Sequence, residues 1–166
     1  MKKMISLLCI AAMLMMTVPA LANPSVAVTV ISETEGVTVT ALAEGTIEEI
    51  ASESAQTIVE TVNGQGSMTP ADAIHTALEN ATEDEKEELV AALNEVQNYS
   101  FTSQFNEMRF DGDSKDVVIA GTNQNTRIML INPETGEIVI LKPDENGVFH
   151  FPFPGLFAMM DPTPVG

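Results

Sequence analysis

The spacing of apolar positions changes character twice along the chain. Val26, Val28 and Val30 alternate with small or polar residues, and Val37, Val39 and Ala41 repeat the alternation beyond Glu33 and Gly36. A period of two sends successive side chains to opposite faces, so two short strands are predicted. They can pair as a hairpin, join strands later in the chain or stand apart. Over residues 46–62 the period lengthens: Ile47, Ile50, Ala51, Ser54, Ile58 and Val62 recur at helical spacing between glutamates, which predicts an amphipathic helix. Asn63-Gly64-Gln65-Gly66-Ser67 then reads as a linker.

The next two helices carry start signals. Thr69 is placed to cap a helix with Pro70 at its first position and Asp72 in its first turn, where a negative charge complements the helix dipole; Ala73, Ile74, Ala77, Leu78 and Ala81 form its apolar stripe. Thr82 with Glu85 three residues on makes a capping box, and Leu89, Val90, Leu93 and Val96 carry that helix to about residue 98.

Beyond Ser100 β-branched and aromatic residues replace the Ala/Glu pattern. Met108-Arg109-Phe110, Val117-Val118-Ile119, Arg127 to Ile131, Ile138 to Leu141 and Gly147 to Phe151 are each bounded by Gly, Asn, Asp or Pro and read as short strands. The turn Asn132-Pro133-Glu134-Thr135-Gly136 makes residues 126–142 a hairpin. Pro152-Phe153-Pro154-Gly155 leads to a short apolar tail, 156–160, in which Met159 and Met160 fill gaps or stay exposed. The predicted class is α+β: one domain over residues 23–160, with helices at about 46–98, an antiparallel, sandwich-like sheet at about 99–160, and a Pro-rich tail at 161–166.

Two stretches, Arg127-Ile128-Met129-Leu130-Ile131 with Glu137-Ile138-Val139-Ile140-Leu141, and Gly147-Val148-Phe149-His150-Phe151 with Phe153-Pro154-Gly155-Leu156-Phe157-Ala158, resemble the closing strands of β-sandwich modules in secreted and wall-attached proteins of Gram-positive bacteria. The resemblance covers about residues 101–160 and implies a non-catalytic surface module. The ending Asp161-Pro162-Thr163-Pro164-Val165-Gly166 departs from it, since it has no sorting motif of the LPxTG kind.

The N-terminal segment changes the picture from fold to address. Lys2 and Lys3, an apolar run from Ile5 to Val18, Pro19 and the small-x-small sequence Ala20-Leu21-Ala22 predict a signal peptide over residues 1–22. The run falls short of the roughly 20 apolar residues that cross a bilayer, so no membrane-spanning segment is expected after cleavage. Cys9 lies inside this run and is the only cysteine, so disulfides, thiolate metal sites and cysteine nucleophiles are excluded downstream. The chain has 7 Lys and Arg against 24 Asp and Glu, a net charge of −17, and cleavage would remove only cations. Such a charge repels phosphate backbones and anionic lipids, which argues against nucleic-acid partners.

Candidate chemistry is sparse. His75 and His150 have no neighbouring ligand at metal spacing, and no Gly-x-Ser-x-Gly elbow is present. Asp111, Asp113 and Asp116, in Asp-Gly-Asp-Ser-Lys-Asp, offer three carboxylates to calcium, the one cofactor the sequence suggests, although hard cations want six or more oxygens and Asp-Gly-Asp is also good turn chemistry. The expectation is an exported bacterial interaction or structural module, secreted or held at the cell surface, with an extracellular or envelope protein as partner. A calcium-dependent binding module and a small exported hydrolase are the alternatives.

Overall fold

The computed structural model describes residues 30–65 and 69–165, so the signal segment, Val26 and Val28 lie outside the described residues. The elements are β1 (Thr38–Ala41), α1 (Glu53–Gln65), α2 (Pro70–Leu78), α3 (Glu83–Val96), β2 (Tyr99–Phe101), β3 (Asn106–Arg109), β4 (Lys115–Val117), β5 (Arg127–Ile131), β6 (Ile138–Leu141), β7 (Phe149–Phe151) and β8 (Gly155–Pro162). The α+β class holds, with the helices before residue 99 and antiparallel sheet dominating after it.

Six strands form the main sheet in the order β1-β3-β8-β5-β6, with β2 paired to β8 alongside β3, while β4 and β7 make a separate pair. Alternation along β5 and β8 divides the interior. Met129 and Ile131, with Leu156, Ala158 and Met160, face α1, α2 and α3, meeting Ile58, Ile74, Leu89 and Val96. Ile128 and Leu130, with Phe157 and Met159, face the β4–β7 pair, where Val117, Phe149 and Phe151 close a second core. Phe151 meets Phe157 edge to face at 5.9 Å, a favoured aromatic geometry. The molecule is thus layered as helices, main sheet and a small second sheet.

The apolar tail is corrected by this arrangement. Residues 156–160 form the buried part of β8, the strand that joins β3 and β2 on one side to β5 on the other. Met159 and Met160 are buried. A strand covered on both faces has no polar face, so it shows no alternation, and the continuous run Leu156-Phe157-Ala158-Met159-Met160 follows from that position. Asp161 and Pro162, assigned by sequence to the tail, extend β8, and the Asp161 carboxylate accepts from the buried Thr126 hydroxyl at 2.7 Å. Gly155 starts the strand where a Cβ would stand 2.4 Å from the Ile131 carbonyl oxygen, so only glycine allows the approach of β8 to β5. Between β3 and β2, the Met159 backbone is satisfied by the Ser103 hydroxyl and the Thr102 N–H, each at 2.9 Å.

The first helix is also corrected: α1 begins at Glu53 instead of residue 46 and runs through the first residues of the predicted linker. Upstream, Ile50 N–H donates to the Ile47 carbonyl in a tight turn, and Ala51 N–H donates at 2.9 Å to the carbonyl of Pro133 in the β5–β6 turn. That long-range bond takes a donor which a longer helix would have turned inward, and the helix starts where the Ser52 hydroxyl accepts from Ala55 N–H. At its other end, Asn63 Oδ1 accepts from Phe105 N–H at 2.8 Å, which ties α1 to the approach to β3.

The caps of α2 and α3 form as expected: Thr69 accepts from Asp72 N–H at 3.1 Å, and Thr82 and Glu85 make the reciprocal capping box. The 126–142 hairpin forms with Leu130 opposite Val139 and Ile131 opposite Ile138. Residues 30–34 and β1 do not form a hairpin with each other: Ser32 bridges Ile119, and β1 pairs with β3, Val39 lying opposite Met108.

Candidate interaction edge

β1 is one of the two outer strands of the main sheet, the other being β6. The sequence Thr38-Val39-Thr40-Ala41 suits extended backbone, and Thr38, Thr40 and Ala41 are exposed. It pairs with β3 along one side, and among the described residues no strand pairs with the other. An antiparallel neighbour bonds alternate residues of a strand, so half of the β1 backbone groups point outward. Nothing in Thr38–Ala41 blunts this edge, since it contains no proline and no charge.

Beside β1, Val37, Val39, Phe110 and Phe153 are partly buried against the second core and present a half-covered apolar rim. At the start of the strand this rim opens into a cleft bounded by Gly36, Thr38, Arg109, Phe110, Asp111 and Pro154. A second hollow of about 300 Å³, which shares Arg109 and Pro154 with the cleft, lies between β3, the β5–β6 turn and the Phe153-Pro154-Gly155 segment. Arg109 stands between the two, with its guanidinium bonded to Glu107 on the same strand at 2.8 Å, so much of its charge is balanced locally.

The sequence-predicted residues are dispersed. Asp111 borders the cleft. Asp116 pairs with His150 across β4 and β7, Nδ1 to Oδ1 at 2.7 Å, with both side chains exposed. His150 points away from the buried Phe149 and Phe151. His75 is exposed on α2. Among the described residues no three His, Cys, Asp or Glu side chains gather as a metal site, and no helix is long and apolar enough to cross a membrane.

One polar cluster escaped the sequence. Ser52 and Ser54, buried at the start of α1, bring their hydroxyls within 2.7 Å of each other, and Ser52 donates to the Glu85 carboxylate, whose Oε1 lies 3.2 Å from the Ser54 hydroxyl. The other Glu85 oxygen accepts from Thr82 N–H and Oγ1, each at 2.8 Å. The Ser52 hydroxyl bond lowers the Glu85 pKa most, followed by the Thr82 N–H, and together with the other hydroxyls they hold it at about 2. A carboxylate held that low is too weak a base to take a serine proton, so the cluster is a clasp joining the starts of α1 and α3. Its one sequence signal is the cap spacing from Ser52 to Ala55, because the 31 to 33 residues between the serines and Glu85 make the contact invisible to local pattern. Glu88 nearby is raised, first by burial and then by repulsion from Glu137 and Glu85.

No protein-family model matches the chain, nor does any curated protein or solved structure.

Proposed function

We propose that the protein is an exported, non-catalytic interaction module of the bacterial cell surface or surroundings, and that its working surface is the free edge of β1 with the adjoining cleft. The observation that carries this reading is the edge itself: a strand paired on one side only among the described residues, exposed, without charge or proline, and bordered by the apolar rim of Val37, Val39, Phe110 and Phe153. An incoming extended segment gains affinity from backbone hydrogen bonds along such an edge and specificity from side chains seated in the adjoining hollows. The N-terminal pattern of Lys2, Lys3, apolar run and Ala20-Leu21-Ala22 supports export, and the charge of −17 favours a protein partner over nucleic acid.

A photo-cross-linking residue placed at Thr40 in the full chain, expressed in its own cells, tests the reading. The same residue at Glu95 on α3 serves as the control. One envelope or extracellular protein captured from position 40 and not from position 95 is the expected result. Equal capture from both, or none from position 40, would overturn it.

A further inference from the structure

The charges around β1 narrow the partner. The segment leading into the strand carries Glu33 and Glu35, the segment leading out carries Glu44, Glu48 and Glu49, and all five are exposed. No lysine or arginine occurs from Val30 to Glu85. Two cations approach the strand's start: Arg109, which is bonded to Glu107, and Lys115, whose Nζ lies 3.8 Å from the position a Cβ on Gly36 would take. Asp111 stands on the same cleft as Arg109. The strand itself is uncharged, and the segments flanking it, residues 30–37 and 42–50, carry five glutamates and no cation, so the field an approaching segment meets is acidic on balance.

We propose that the occupant of the β1 edge is an extended, basic segment of a partner protein, with Lys or Arg alternating with apolar residues. The inference rests on the interaction-edge reading. Such a segment has the two faces that the site offers. Its apolar side chains cover the rim of Val37, Val39, Phe110 and Phe153, and its cations lie among the glutamates. A second copy of this chain is disfavoured as occupant, because it would bring the same glutamates to the same edge.

The test uses the full-length protein and three synthetic peptides of equal length: one alternating Lys with Val, one alternating Glu with Val, and one alternating Ser with Val. Binding is measured by titration and located from backbone amide shifts at Thr38–Ala41. The Lys peptide is expected to bind most tightly and to weaken as salt is raised. N-methylation of one alternate set of its residues should abolish binding, while methylation of the other set should not. In the Glu35→Lys and Glu44→Lys variants, with melting checked to be unchanged, its affinity should fall roughly threefold per substitution, the size expected of exposed ion pairs. If the Ser peptide binds as tightly as the Lys peptide with the same methylation pattern, the edge reading stands and the basic-partner inference fails. If no peptide shifts the β1 amides, both fail.

Discussion

The centre of the main sheet and its β1 edge are built on opposite principles. In β5 and β8 nearly every side chain is buried, on both faces at once, so these strands belong to two cores. In β1 three of four residues are exposed and one side of the backbone has no strand partner among the described residues. The centre is committed to stability. The edge contributes little to either core, and among the described residues no strand takes up its outward backbone groups.

The same substitution at the two places should separate them most sharply. Leu130→Asp buries a charge with no partner between β5 and the second core and is expected to cost more than about 4 kcal/mol, enough to unfold most single domains. Thr40→Asp, exposed on β1, should cost under about 1 kcal/mol. Thermal melts of both check the contrast, and a normal melt for Leu130→Asp would mean that the strand register is wrong.

Gly136→Ala should fall between these extremes. Gly136 has φ near +79° in the β5–β6 turn, and an added Cβ would lie 2.2 Å from Cβ of Ser52. Backbone strain and the displaced α1 start together are expected to cost about 2–3 kcal/mol, read from a denaturant titration.

Acid should loosen the helical side of the molecule through the Ser52–Glu85 clasp. Glu85 has a folded-state pKa of about 2, below its ordinary value of 4.5, so its contribution is fully present above 4.5 and is lost as pH falls through that window towards 2. Glu88, shifted upward, acts in the opposite sense and favours the folded state as it protonates. In Glu85→Gln the Glu85 contribution to the pH dependence between about 4.5 and 2 should disappear, which denaturation at stepped pH will show. The smallest effect is expected from chelation: with the Asp116 carboxylate shared with His150, EDTA should leave the melting temperature unchanged, and a fall would put calcium on the 111–116 loop.

How much was legible in the sequence follows from the same contrast. Elements whose signals are local could be read: the Thr69 and Thr82 caps, the 126–142 hairpin and the α+β division depend on residues a few positions apart. β8 reads as a tail in sequence because a strand buried on both faces carries no alternation, and its partners lie as far back as β2 and β3. The start of α1 is not legible because the helical spacing of Ile47 and Ile50 is also met by a turn, and the deciding hydrogen bond is the one Ala51 N–H donates to the distant Pro133 carbonyl. At the candidate site the alternation in β1 was visible, but which strand it joins, and which side it leaves open, depends on β3.

Hydrogen exchange of the backbone amides in the free, full-length protein reads out directly whether the β1 edge is open. Amides of β5 and β8 are expected to exchange only through global unfolding, whereas β1 should show alternating protection, with the outward-facing amides exchanging orders of magnitude faster than those bonded to β3. Uniform protection of Thr38, Val39, Thr40 and Ala41 at the level of β8 would mean that the edge is already covered, and would rule out β1 as an open docking edge.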